Sequence, residues 1–191
     1  MTKSTFFVEE DKILSVLFSE GLNNLHLYKP SQPTIYSERL LTLLPEEYHK
    51  QITVHENYYL KKEFGLAGIH LDSATEPVPK GYKGHYSRTC DNLSELRAAK
   101  RNADYVFLSH VADNDEGYSL QALEDAADEG LIDRHVYAYG GIRLDNIALM
   151  KSLGFGGVVI DNDLWDRFDI QMGVGYSEVI DQFVKIRKAS E

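Results

Sequence analysis

The sequence predicts an α/β fold, a small single-domain (β/α)8 barrel over residues 1–191 with one crossover helix reduced to a loop. Three observations predict it. Short β-rich runs alternate with segments of helical period, which means parallel strands joined by right-handed crossovers. The runs number about eight, which favours a closed barrel over an open doubly wound sheet. No linker or low-complexity tract interrupts the alternation, and 43% hydrophobic residues suffice for one packed core. A flavodoxin-like or Rossmann sheet with fewer strands is the rival arrangement. No GxGxxG opens the first helix, which argues against dinucleotide binding.

The elements follow in order. Thr5–Val8 (TFFV) reads as the first strand, and the segment from Asp11 to Glu20 as a helix. Its apolar stripe is Ile13, Leu14, Leu17 and Phe18, and Gly21 closes it. Leu25–Lys29 is the second strand and Tyr36–Leu44 the second helix. Gln51–Glu56 and Tyr58–Phe64 repeat the unit, with Gly65 as the stop. Ala67–Leu71 is the fourth strand, and the Pro- and Gly-rich SATEPVPKGYKG after it predicts a long loop in place of a helix. Gly84–Thr89 is the fifth strand, followed by a helix over Asn92–Lys100 capped by Asp91 or Asn92. Asp104–His110 is the sixth strand and Ser119–Glu129 its helix. His135–Tyr139 and Leu144–Leu153 make the seventh unit, Gly157–Ile160 the eighth strand, and Tyr176–Lys188 a closing amphipathic helix.

The charge balance narrows the partners. Twenty basic against thirty acidic side chains give a formal charge of −10. Such a surface repels nucleic acid and anionic membranes, because binding phosphate backbones relies on clustered cations. An anionic small ligand then needs local help from backbone amides or a few placed cations. Cys90 is the single cysteine, so no intrachain disulfide forms and a reducing, cytoplasmic setting is expected. The opening MTKSTFFVEEDK is too short in apolar residues for a signal peptide, and no stretch reaches the roughly 20 apolar residues of a membrane helix. A homo-oligomer is compatible with all of this.

In such a fold the chemistry gathers at the C-terminal ends of the strands. Those ends carry His26, Tyr28 and Lys29, His55 and Glu56, His70 and Asp72, Ser87 and Arg88, His110, the pair Gly140–Gly141, and Asp161–Asn162. His26 and His70 have apolar neighbours on both sides and read equally well as core histidines, the better reading for His70. His110 ends the apolar run YVFL plus Ser109. A histidine there serves as a general base near neutral pH, given the reference pKa of about 6.5 for imidazole, or else it is a surface-loop residue. Glu56 offers a carboxylate to Mg²⁺, which favours oxygen ligands, although a lone carboxylate is by default a solvated one. Asp113, Asp115 and Glu116 make an acidic loop, Ala112–Gly117, that reads as solvated and as a candidate lid.

The stretch VYAYGGIRLDN places two glycines after the seventh strand and before a helix start. Their amides are unshielded by side chains, and loops after strands seven and eight of barrels frequently bind phosphate in this way. A tight turn in the left-handed region explains one glycine readily and two less well.

Three blocks, DYVFLSHV, YAYGGIRLDNI and GFGGVVIDND, resemble in order and spacing the last third of the thiamine phosphate synthase/TenI superfamily. Earlier, GLAGIHL resembles that family's GADGVHLG, and GHYSRT its IG-x-S block. The resemblance implies a small (β/α)8 barrel and a phosphorylated heterocycle, a thiazole phosphate, as ligand. It implies phosphate contacts near Gly140, Gly141, Asp161 and Asn162, with Ser87 from the pyrophosphate set and Arg88 and Lys29 as substitute cations. His26, Tyr28, Lys29 and His55 become substrate-pocket candidates.

The departures from the family pattern matter as much. The synthases' Q-x-R-x-K run reads His26-Leu27-Tyr28-Lys29-Pro30, their Asn-Asp reads His55-Glu56, their second Mg²⁺ aspartate falls at Thr75, and their T-x-T-K segment reads DNDEG. In the TenI branch the block G-H-V carries the histidine of a thiazole tautomerase, and SHV places His110 there. The resemblance therefore implies a tautomerase with His110 as proton shuttle and no required cofactor. The alternatives are a divergent thiamine phosphate synthase, with Mg²⁺ at Glu56, and a barrel that binds a phosphate ester without turnover.

Overall fold

The computed structural model describes residues 1–114, 117–167 and 176–191. Seven strands are found among them: β1 (Leu25–Leu27), β2 (Ile52–Val54), β3 (Gly68–Leu71), β4 (His85–Cys90), β5 (Tyr105–Leu108), β6 (Val136–Ala138) and β7 (Gly157–Val158). Their order in the sheet is the order of the chain, and the neighbouring pairs β1–β2, β2–β3, β4–β5, β5–β6 and β6–β7 are parallel. The α/β class and the parallel connections are as expected; among the described residues seven strands stand where eight were expected. By its internal contacts the chain divides into two compact units, Met1–His70 with Leu164–Arg187, and Leu71–Asp163 with Lys188–Glu191. No helix among the described residues is long and apolar enough to cross a membrane.

In the first unit the expected first strand is replaced by side-chain contacts. Thr5–Val8 forms no strand; the Thr5 carbonyl accepts instead from the ammonium of Lys29 at 3.2 Å, beside the Lys3 carbonyl at 2.8 Å. Only Thr2 reaches β1, its N–H donating to the His26 carbonyl at 2.9 Å. Helix α1 (Glu10–Ser19) then buries Ile13, Leu14, Leu17 and Phe18, the stripe read from the sequence, each contributing roughly 2 kcal/mol of transfer free energy. Helix α2 (Thr34–Leu43) buries Leu40 and Leu41, a 3-10 helix covers Glu46–Gln51, and α3 (Tyr59–Glu63) is a short turn that buries Leu60.

In the second unit no helix lies between Leu71 and His85, where the Pro- and Gly-rich loop was expected. Helix α4 (Leu93–Ala99) buries Leu96 and Ala99. Helix α5 (Leu120–Asp128) starts at Ser119, whose hydroxyl accepts the Ala122 N–H at 3.2 Å. Helix α6 (Ile147–Ser152) buries Ile147 and Met150. Helix α7 (Asn162–Trp165) follows; α8 (Ser177–Ser190), which up to Arg187 belongs to the first unit, buries Val179, Phe183 and Ile186.

Candidate active site

The strand-end residues fall into two groups, one in each unit. In the first unit, alternation along the strands puts His26, Tyr28, Thr53, His55 and His70 on one face, because Thr53 pairs with His26 on one side and Gly68 on the other. Nδ1 of His26 lies 2.8 Å from Nε2 of His55. The His55 and His70 rings stack at 4.2 Å, and the Tyr28 ring lies 4.9 Å from that of His55. His26, His55 and His70 are all buried. Burial, reinforced by the neighbouring imidazoles, holds His26 well below the usual histidine range, and burial holds His55 down to about 3. Both rings are neutral at physiological pH.

Lys29 follows on the same strand end but turns away from this face. Its Nζ donates to the Lys3 and Thr5 carbonyls and to Oε1 of Glu10 at 2.6 Å, and it sits over the Phe6 ring at 4.2 Å. Three acceptors match the three protons of an ammonium, so Lys29 is occupied within the fold. Burial pushes Glu10 up to about 7 in spite of this cation, and lowers Lys29 as well. Oε2 of Glu10 has no hydrogen-bond partner among the described residues. Glu56 lies two residues beyond β2 and is half-buried.

The second unit assembles His110, Asp113 and the glycine pair. The loop after β5 is tied to the end of β6 by the Val111 N–H on the Tyr139 carbonyl and the Ala112 N–H on the Gly140 carbonyl, both at 3.0 Å. His110 takes the left-handed conformation (φ 56) and is half-exposed, with Nδ1 2.9 Å from Oδ2 of Asp113. Gly140 and Gly141 have φ 90 and 66. A Cβ on Gly141 would lie 2.1 Å from the Ala112 carbonyl oxygen, and one on Gly140 2.8 Å from the His110 nitrogen. Both glycines are therefore required twice, by backbone conformation and by the closeness of the His110 loop.

The carbonyls of that turn are used and its amides are not. Gly140 O accepts from Ala112, and Gly141 O accepts from the side-chain amide of Asn146. The N–H groups of Gly140, Gly141 and Ile142 donate to no described residue. Asn162 is exposed at the start of α7. In the same helix, Oδ2 of Asp163 accepts the Leu144 N–H at 3.1 Å. Asp163 escaped the sequence reading, which stopped at Asp161 and Asn162.

Ser87 and Arg88 are neighbours on β4 and point to opposite faces, so they do not serve one pocket. Ser87 is fully buried, whereas the Arg88 guanidinium donates to the Ala74 carbonyl and lies 5.6 Å from the Tyr86 ring. Its Nε has no partner among the described residues. Asp115 and Glu116, two of the three acids of the expected lid, lie outside the described residues.

The fold and this loop pairing define a class: an α/β protein of parallel strands in chain order, with a histidine–aspartate pair against a Gly-Gly turn at the strand ends. No family model and no curated protein matches the chain. Among solved structures it is similar to thiamine phosphate pyrophosphorylase from Bacteroides thetaiotaomicron, at 46% identity over 98% of this chain and 94% of that one, with a TM-score of 0.91. Thiamine phosphate pyrophosphorylase from Pyrococcus furiosus (20% identity, 95% and 89% covered, TM-score 0.72) and a 3-hexulose-6-phosphate synthase (12%, 95% and 95%, TM-score 0.60) share the fold. The chain belongs to the thiamine phosphate synthase/TenI superfamily.

Proposed function

We propose that this protein acts on a thiazole phosphate as a thiazole tautomerase, with His110 as the proton shuttle. The observation that carries the reading is the His110–Asp113 pair beside the Gly-Gly turn. With Nδ1–H donating to the Asp113 carboxylate, the lone pair of Nε2 points outward as a base. Nε2 lifts one proton from the bound tautomer and returns it to another atom of the same molecule, so no net proton is consumed. The unclaimed amides of Gly140, Gly141 and Ile142 supply neutral donors for the ester phosphate, with Asn162 and Ser87 as further contacts. Such a step requires no cofactor.

The name of the Bacteroides relative favours a second reading, a thiamine phosphate synthase, with His26, Tyr28 and His55 around its pyrimidine. Its Mg²⁺ does not fit the donors here. At the two aspartate positions stand Glu56 and Thr75, and His55 beside Glu56 turns its ring to His26, whereas Mg²⁺ asks for oxygen ligands and carboxylates. Lys29, the nearest substitute cation, is saturated internally.

Incubating the purified protein with the non-aromatic carboxythiazole phosphate tautomer tests the first reading. Aromatisation is expected, with a loss of at least roughly a hundredfold in His110→Ala. An unchanged rate in that variant would sink the assignment. Mg²⁺-dependent thiamine phosphate formation from the two synthase substrates would establish the second reading instead. The intended setting is cytoplasmic and the expected partner is the small phosphorylated heterocycle alone.

A further inference from the structure

The proton-shuttle chemistry leaves three buried histidines of the first unit without an acid–base role. Thr53 pairs with Gly68 and Val54 with Ile69, so His55 and His70, one residue further on each strand, stand side by side on the face that His26 shares. One ring nitrogen from each of the three lies within 4.8 Å of the other two. His26 meets both other rings edge-on, at 73° and 80°.

We propose that His26, His55 and His70 bind one divalent transition-metal ion of the zinc, cobalt or nickel kind. The proposal does not depend on the tautomerase reading. Imidazole nitrogen suits these ions, and three such ligands leave a tetrahedral centre one further position. Bonds of about 2.0–2.1 Å place tetrahedral nitrogens roughly 3.3 Å apart. The 2.8 Å contact between His26 and His55 and the 4.8 Å limit for the set fall on either side of that spacing, so sub-ångström to ångström shifts of ring position complete the site. The proton now shared between Nδ1 of His26 and Nε2 of His55 moves to the other nitrogen of its own ring, and both rings stay neutral with a lone pair on the ion. Burial already keeps His26 and His55 neutral, the state a metal ligand requires. Carboxylates are absent from this group, which directs it away from Mg²⁺ and Ca²⁺.

Untagged protein, stripped with a chelator and titrated with cobalt(II) chloride, tests this. One equivalent per chain is expected at micromolar concentration, with the intense visible bands of a tetrahedral ion, displacement by zinc, and a melting temperature that rises with metal. His55→Phe and His70→Phe, checked for native circular dichroism, are expected to lose the bands; His85→Ala and His135→Ala, on exposed histidines, are expected to keep them. If the buried variants do not fold, pulsed electron paramagnetic resonance of the copper(II)-loaded wild type counts the coordinated imidazoles, and three are expected. No uptake by the folded wild type, uptake undiminished in a folded His55→Phe, or fewer than three coordinated imidazoles would overturn the proposal.

Discussion

Oδ2 of Asp113 lies 2.9 Å from Nδ1 of His110 and 3.0 Å from the point that a Cβ on Gly140 would occupy. One carboxylate oxygen thus orients the candidate base while resting against the bare face of the candidate phosphate turn. The base and the turn are coupled through backbone as well, by the two hydrogen bonds from Val111 and Ala112.

Asp113→Asn keeps the shape of the side chain and removes the charge that holds the imidazole tautomer. Tautomerase turnover is expected to fall roughly ten- to hundredfold, with KM for the thiazole phosphate and the urea midpoint close to wild type. Stopped assays at saturating substrate measure it, and an unchanged kcat would mean that Asp113 does not orient His110.

Gly141→Ala asks an L-residue to hold φ 66 and brings a methyl group to within 2.1 Å of the Ala112 carbonyl. The left-handed conformation alone costs about 1–2 kcal/mol, and the clash must move the loop that carries His110. Lower stability in urea together with weaker phosphate-ester binding in calorimetry is expected. Wild-type values for both would remove the steric role given to this glycine.

Glu10 makes stability depend on pH in an unusual direction. Burial holds its carboxyl at about 7 in the folded protein against the ordinary 4.5, so between those values the folded state holds a proton that the unfolded chain has released. Its stabilising contribution is complete below 4.5 and is lost as pH rises through 7, about 3 kcal/mol in all. In urea unfolding, wild type is therefore expected to lose stability relative to Glu10→Gln from pH 5 to pH 8. A difference that is flat across that range would contradict the assignment. Removing the partner is harsher: Lys29→Met strands a buried carboxylate and is expected to cost about 3–5 kcal/mol.

Much of the fold was legible because the signals are local. The β-rich runs from Leu25 to Val158, the stripe of α1 and the helix-free loop before β4 each depend on residue types within a few positions of one another. Thr5–Val8 reads as a strand by the same local logic, whereas in the fold its Thr5 carbonyl accepts from the Lys29 ammonium, more than twenty residues later. The order SHV then GGI marked the His110 region in advance. Asp163 was missed because nothing in the DND block distinguishes the acid that meets the Leu144 amide from the one two positions before it.

The amino-acid order by itself determined the class of fold, the sequence of parallel elements and the family blocks, because period, turn chemistry and spacing are written along one dimension. The tertiary structure alone decided where the charged and titratable side chains lie and what they touch. It buried Lys29 against Glu10, set Asp113 on His110, filled the space beside Gly140 and Gly141 with the preceding loop, and brought His26, His55 and His70 together. Each of these follows from strand register and long-range packing, where a shift of one residue reverses the face on which a side chain lies.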